Sequence, residues 1–144
     1  AVSQLVNLAQ AVRNVMGTTV KLTYAADWSE YHHTDGGWYH LDPLWASPNI
    51  NMVGIDAYFP LTNAPQSGYS LAPVMAGWTS GEGYDWVYTD PGRTVQATVT
   101  PAYAWKNIAW WHSNTHTNPN NVATAWVPGS KPVWFTEYGF PSLD

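Results

Sequence analysis

The sequence predicts an α/β domain with a parallel sheet, and three observations predict it. Short apolar runs that are typical of β-strands alternate with segments of helical spacing. Each run is almost continuously apolar, as expected for parallel strands that are covered on both faces. Each run also ends in an acidic residue, at the end of the strand where α/β proteins place their binding and catalytic groups.

The N-terminal segment predicts one helix and one strand. Apolar residues recur at helical spacing over residues 2–16, and Gly17 supplies a stop signal. Residues 19–26, TVKLTYAA, are rich in β-branched and aromatic residues and predict the first strand. Asp27 and Glu30 follow it, so this segment brings two carboxylates to the C-terminal end of the strand.

The middle of the chain predicts a second strand and a long irregular region. Residues 43–48 predict a short helix or turn, and residues 49–58, NINMVGIDAY, predict a strand that carries Asp56 near its end. Residues 60–99 are dense in Gly, Pro, Ser and aromatic residues, and only residues 71–78 predict a helix. A long irregular stretch in a compact domain is usually functional or an insertion.

The last segment predicts a helix over residues 102–115 and a third strand over residues 132–137, PVWFTE. This strand ends in Glu137, and aromatic residues surround that carboxylate in the sequence. An unpaired charge inside a strand is costly. We therefore expect Glu137 either at the open end of the sheet, facing a cleft with aromatic walls, or held by partners.

Composition limits the class of protein. A chain of 144 residues is about one domain in length, and it contains no cysteine, which excludes a disulfide framework and a thiolate metal site. The net charge is -5 and the five basic residues are scattered, so nucleic acid is not an expected partner. No apolar run reaches the roughly 20 residues of a membrane span, and no signal peptide is visible.

Aromatic residues are unusually frequent, with 10 Trp and 9 Tyr. They favour either a core with heavy aromatic packing or a sugar-binding surface, because Trp and Tyr rings stack on the apolar faces of pyranose rings. Four tryptophans on predicted loops are candidates for sugar stacking: Trp38, Trp78, Trp86 and Trp126. Three others on the predicted helix are candidates for the core: Trp105, Trp110 and Trp111.

The histidines predict no metal site. His32, His33 and His40 lie close in sequence, but their spacing matches no standard ligand motif. His112 and His116 have a two-ligand helical spacing, but the helix is predicted to end between them. The chain also contains no Gly-rich phosphate loop, so we expect neither a metal nor a nucleotide cofactor.

Five segments carry a resemblance to a known family. They are YAADWSEY (24–31), HLDPLWASPNINMVGIDAYFPL (40–61), SGEGYDW (80–86), IAWWHSNTH (108–116) and WVPGSKPVWFTEYGFPS (126–142). Together they resemble the TIM-barrel-like domain of gene transfer agent and phage-type tail proteins. That family is similar to the retaining (β/α)8 glycoside hydrolases, and the resemblance runs from end to end of the chain.

The resemblance implies a partial (β/α)8 TIM barrel, with parallel strands and crossover helices. The three strands would be the fifth, sixth and seventh of eight, so residues 1–144 would form a single-domain fragment, the C-terminal half of the barrel. The partners implied are a cell-surface or cell-wall glycan, other tail proteins, and the missing parts of the same barrel. The implied location is the tail of a phage-like particle, or the cytoplasm before assembly.

The resemblance also implies catalytic roles. Glu137 matches the position of the nucleophile, and the hydroxyl of Tyr58 would hydrogen-bond that carboxylate and hold it ionised. The alternative for Glu137 is a structural carboxylate paired to a lysine or the backbone, or a relic in a barrel that only binds. The acid/base residue is expected outside the chain, and Glu30 is the nearest substitute within it, with substrate binding or helix capping as its alternatives.

The remaining residues at the strand ends are expected to bind substrate. Asp27 and Trp28 would line the floor of the cleft, and Asp56 would face the cleft or pair locally. Two functions stay open: a retaining hydrolase of polysaccharide, or a non-catalytic module that binds glycans for structure or host recognition. A second carboxylate close to Glu137 would favour the hydrolase.

Overall fold

The computed structural model describes residues 1–63 and 70–140, so residues 64–69 of the predicted irregular region lie outside it. The helices are α1 (Val2–Met16), α2 (Asp42–Trp45), α3 (Leu71–Ala76) and α4 (Ile108–Ser113). The strands are β1 (Ala25–Asp27), β2 (Val53–Ala57), β3 (Trp86–Tyr88), β4 (Gln96–Thr98) and β5 (Val133–Tyr138). Single 3-10 turns cover Gly77–Thr79 and Pro101–Tyr103.

The main sheet has the order β1-β2-β5, and both strand pairs are parallel. The central strand β2 is the most buried, and its Val53, Ile55 and Ala57 are fully covered. The α/β class and the parallel sheet are therefore confirmed. The three strands form no closed barrel within residues 1–63 and 70–140, so the half-barrel remains an expectation from the resemblance.

Two predicted elements are longer than the observed ones. The strand predicted over residues 19–26 begins only at Ala25. Before it, the N–H of Leu22 donates a hydrogen bond to the side chain of Asn51, and the hydroxyl of Thr23 donates one to the carbonyl oxygen of Met52. The helix predicted over 102–115 begins only at Ile108, after the side chain of Asn107, which accepts a hydrogen bond from the N–H of Trp110. In both cases a side chain takes a backbone bond that the regular element would otherwise make.

The irregular reading of residues 60–99 is wrong in its last third, where β3 and β4 form an antiparallel hairpin. Asp90 organises the hairpin loop by accepting hydrogen bonds from the N–H groups of Thr94 and Val95. Arg93 lies in the same loop at a φ of 53°, in the left-handed region. The helix predicted over 71–78 is confirmed, since α3 continues into a 3-10 turn.

The expectation that every strand is covered on both faces is wrong for β5. Trp134 is 57% exposed and Tyr138 is 59% exposed, although β5 pairs with the buried β2 along its length. This pairing also shifts by one residue between Ile55 and Asp56. Thr136 is the extra residue, so the side chains that follow it change face relative to a regular strand.

A buried polar pair ties α2 to the segment after α4. His116 Nδ1 lies 2.8 Å from Asp42 Oδ2, and His116 Nε2 lies 2.8 Å from the carbonyl oxygen of Trp111. Both ring nitrogens thus have an oxygen partner within the core. The ring is also stacked on Trp126 and Tyr39 within the core.

Lys106 fixes the segment that carries the 3-10 turn at Gly77–Thr79. Its ammonium donates to the carbonyl oxygens of Pro60, Gly77 and Ser80 at 2.6 to 2.9 Å. Burial lowers the pKa of Lys106 to about 8.

In the described ranges, no helix is both long enough and apolar enough to span a membrane.

Candidate functional site

The C-terminal edge of the sheet carries one acidic residue from each strand. Asp27 of β1 is paired in register with Asp56 of β2, and Asp56 is paired in register with Glu137 of β5. We call these three residues the acidic row. The prediction that the strand ends deliver their carboxylates to the same edge is confirmed, because the strands are parallel and neighbouring.

Glu137 is held by Tyr58. The Tyr58 hydroxyl donates a hydrogen bond of 2.7 Å to Glu137 Oε2. Gly139 leaves room for the tyrosine ring, because a Cβ at that position would lie 2.8 Å from Tyr58 Cε1. The hydrogen bond to Glu137 is the main reason why the pKa of Tyr58 is raised, and the charges of Glu137 and Asp56 add to it.

Titration of Tyr58 provides a test of this contact that needs no substrate. Because the Glu137 carboxylate accepts a hydrogen bond from the phenol, we expect Tyr58 to ionise at a higher pH than an ordinary tyrosine. Glu137→Gln removes the charge, so the pKa of Tyr58 should fall towards its ordinary value. The measurement is NMR of the Tyr58 ring carbons as the pH rises, and an unchanged pKa in Glu137→Gln would contradict the assignment.

Asp56 lies between the two other members of the row and has a local partner. Thr136 donates a hydrogen bond of 2.7 Å from Oγ1 to Asp56 Oδ1. The register shift places this threonine, and not Glu137, as the extra residue of β5. Asp56 therefore pairs locally and at the same time lies beside Glu137 across the sheet.

Glu30 and Asp27 have different surroundings. The Tyr24 hydroxyl lies 3.3 Å from both carboxylate oxygens of Glu30, and burial, followed by the charge of Glu30, raises the pKa of Tyr24. Asp27 Oδ1 accepts hydrogen bonds from the backbone N–H and the hydroxyl of Ser29. Asp27 thus closes a turn, and Glu30 precedes no adjacent helix that it could cap, since α2 begins at Asp42.

Three aromatic rings near the C-terminal end of β5 lie almost parallel to one another. The Trp78 ring is stacked with Phe135 at 6.4 Å and 10°, and with Tyr138 at 6.1 Å and 4°. Phe135 and Tyr138 are stacked with each other at 6.3 Å. We call Trp78, Phe135 and Tyr138 the aromatic platform. Phe135 and Tyr138 are 43% and 59% exposed, so the platform offers ring surface to a ligand.

The other predicted tryptophans are distributed over several places. Trp28 packs on Phe59 beside the acidic row, Trp86 packs edge-on against Tyr88 in the hairpin, and Trp38 is a loop residue that is 42% exposed. Trp126 is only 3% exposed and is stacked on Trp111 in the core. Its ring therefore offers no face to a sugar, because core packing covers it.

Sequence reasoning missed four residues of this edge: Tyr24, Phe135, Thr136 and Tyr138. Their positions near Asp27 and Glu137 in sequence were visible, but the faces taken by Phe135 and Tyr138 depend on the register shift in β5. In the described part of the chain, no group of three or more His, Asp or Glu side chains could hold a metal ion. The site combines the Glu137 carboxylate with the Tyr58 hydroxyl that binds it.

Comparison with known proteins identifies the family. Neither the curated proteins nor the solved structures contain a match to this chain. The model of the gene transfer agent (GTA) TIM-barrel-like domain, in contrast, matches residues 1–144. This match agrees with the parallel α/β sheet. The chain belongs to the GTA TIM-barrel-like domain family.

Proposed function

We propose that this domain acts on cell-surface polysaccharide as a retaining glycoside hydrolase, with Glu137 as its nucleophile. The observation that carries the proposal is the 2.7 Å hydrogen bond from Tyr58 to Glu137 at the C-terminal edge of a parallel sheet. A hydroxyl in this position orients the carboxylate. Membership of the family supports a setting in a phage-like particle, where such an activity would meet the surface of a cell.

The chemistry assigned to Glu137 is nucleophilic. Its carboxylate attacks the anomeric carbon, the bond to the leaving oxygen breaks, and a glycosyl ester forms. A carboxylic acid protonates the leaving oxygen and then, as its carboxylate, takes a proton from the water that cleaves the ester. Tyr58 keeps the second oxygen of Glu137 in place throughout.

The acid is not Glu137, and the described residues offer two other candidates, Asp56 and Glu30. Asp56 is its neighbour across the sheet, where adjacent strands are about 4.8 Å apart, compared with the roughly 5–5.5 Å between carboxyl groups in retaining enzymes. Both Asp56 and Glu30 accept hydrogen bonds from hydroxyls, which is a poor arrangement for donating a proton. We therefore continue to expect the acid outside this chain.

The aromatic platform supports a second candidate, a module that binds glycans for host recognition without cleaving them. Its flat, partly exposed rings suit the apolar face of a pyranose, and they need no catalytic acid. In this case, the acidic row would bind sugar hydroxyls through its carboxylate oxygens. The two candidates share the ligand and differ in turnover.

Binding to the platform separates both candidates from a purely structural role. We expect Tyr138→Ala to weaken binding to a bacterial cell-surface polysaccharide about fivefold to tenfold, since one aromatic contact is worth about 1 kcal/mol. Trp134→Ala is the matched control, because Trp134 lies on the same strand and is almost equally exposed. Affinity electrophoresis against a panel of capsular and cell-wall polysaccharides provides the measurement.

Two results of that experiment would count against the proposal. If no polysaccharide of the panel retards the wild-type chain, carbohydrate is not its ligand. If Tyr138→Ala and Trp134→Ala lower binding equally, the platform is not the contact surface.

A further inference from the structure

A cavity lies beside the acidic row, under the β3–β4 hairpin. Its volume is about 180 Å³, and the residues that line it include Trp28, Tyr88, Arg93 and Trp105. Trp28 directly follows Asp27, so the cavity adjoins one end of the acidic row. Pockets for drug-sized ligands measure about 300–1,000 Å³. A cavity of this smaller size suits a single ring.

Aromatic contacts connect this cavity to the aromatic platform. Trp105 meets Trp28 edge to face at 6.5 Å, and Trp28 packs on Phe59 at 5.8 Å. Phe59 in turn contacts Trp78 of the platform at 6.2 Å. The other partner of Trp105 is His33, which stacks on it at 4.4 Å and fixes the plane of the indole. These contacts join the wall of the cavity to the platform through the core, since Phe59 is fully buried.

The polar groups of the cavity are balanced in charge. Arg93 forms an ion pair of 2.6 Å with Glu82, and its guanidinium carbon lies 4.8 Å above the Tyr88 ring. The pair has no net charge, but it offers both N–H donors and carboxylate acceptors at the cavity. A sugar hydroxyl needs both kinds of partner, whereas an anion needs donors only.

The indole of Trp105 forms part of the wall of this cavity. Its Nε1 is buried and makes no hydrogen bond to any part of the chain that the structure describes. A ring in the cavity would therefore contact the carbon atoms of the indole, and the buried N–H serves as an NMR reporter for that contact.

We propose that the hairpin cavity is a subsite for one neutral pyranose ring, next to the acidic row. The inference rests on the proposed function for its ligand class, carbohydrate, but not on catalysis. Trp28 and Trp105 supply the apolar surface, and the Arg93–Glu82 pair supplies the hydrogen bonds to hydroxyls. A uronic acid gains no advantage over a neutral sugar, since Glu82 already neutralises Arg93.

The variant that tests the subsite is Arg93→Gly. Arg93 has a φ of 53°, a conformation that glycine adopts without strain, so the hairpin loop can keep its fold. Asn121→Gly is the matched control, because Asn121 has a φ of 61° in a different loop and does not line the cavity. Both variants remove a side chain from a left-handed position, and only one of them changes the cavity.

The measurement is ¹H–¹⁵N NMR of the indole N–H groups of the 144-residue chain, with Trp105 assigned by Trp105→Phe. Glucose, galactose and N-acetylglucosamine are the neutral probes, and galacturonate is the charged one. We expect the Trp105 signal to shift in a saturable manner with at least one neutral sugar. Arg93→Gly should weaken this binding about tenfold, and Asn121→Gly should leave it within about twofold.

Three outcomes would overturn the subsite. They are no Trp105 shift with any neutral sugar, equal binding by Arg93→Gly and the wild type, and tighter binding of galacturonate than of galactose. Glu137→Gln leaves the cavity intact, so a Trp105 shift in that variant supports the subsite even when hydrolysis is absent. The experiment can therefore disprove the subsite without disproving the proposed catalysis, and loss of catalysis does not disprove the subsite.

Discussion

Glu137→Gln should reduce the release of dinitrophenol from 2,4-dinitrophenyl glycosides by about 10³-fold or more. An amide cannot form the glycosyl ester, although it keeps the shape of the side chain and can still accept the Tyr58 hydrogen bond. Polysaccharide binding should stay within about twofold of the wild type. This leaving group departs without a proton, so the experiment does not depend on the missing acid.

The control for Glu137→Gln is another neutralised carboxylate. Asp35 is exposed and lies outside the acidic row, so Asp35→Asn should release dinitrophenol at the wild-type rate. The absorbance of dinitrophenolate follows the reaction, with a panel of gluco-, galacto- and manno-configured substrates. Equal rates for Glu137→Gln and the wild type would remove Glu137 from the chemistry.

The folded domain should lose about 3 kcal/mol of stability between pH 6.5 and pH 4 through His33 alone. Burial lowers the pKa of His33 from 6.5 to about 4, and the side chain is only 5% exposed. The unfolded chain takes up the proton near pH 6.5, while the folded chain takes it up only near pH 4. In that window the unfolded state binds more protons, so acid favours unfolding.

The neighbouring histidine acts in the same direction. The Nδ1 atoms of His32 and His33 are 2.8 Å apart, so one ring donates and the other accepts, and at least one of them must be neutral. Burial holds the pKa of His32 well below its ordinary value. Asp35 raises the pKa of His33 and His40 lowers it, but burial is the larger cause.

Urea unfolding at pH 7, 5.5 and 4.5 measures this loss. His33→Phe keeps an aromatic ring against Trp105 and removes the titrating group. Its free energy of unfolding should therefore fall less steeply with acid than that of the wild type. The same slope in both proteins would show that protonation of His33 does not limit acid stability.

The sequence was sufficient to predict the strands β2 and β5 of the main sheet, because each is an apolar run that carries a carboxylate near its end, Asp56 in β2 and Glu137 in β5. VGIDA is buried almost throughout, and the prediction of a parallel strand covered on both faces followed from its apolar character. The β3–β4 hairpin was missed although Asp90-Pro91-Gly92 is a turn signal between two runs rich in β-branched and aromatic residues. The left-handed Arg93 that completes the turn has no such signal.

The site was predictable in position and less so in detail. The sequence predicted acidic residues at the C-terminal ends of three strands, and the register of the sheet brings Asp56 beside Glu137. The sequence could not reveal the register shift at Thr136, which decides the faces of Phe135 and Tyr138. It also could not separate the buried Trp126 from the loop tryptophans, since its burial depends on the distant Trp111.

The most direct test of the central claim, that Glu137 is a nucleophile, is to trap the glycosyl ester. The chain is treated with 2,4-dinitrophenyl 2-deoxy-2-fluoro glycosides, whose fluorine slows hydrolysis of the ester, and is then digested and analysed by mass spectrometry. We expect one sugar per chain, attached to the peptide that holds Glu137 and absent in Glu137→Gln. A sugar on any other side chain, or no adduct from any member of the panel, would contradict it.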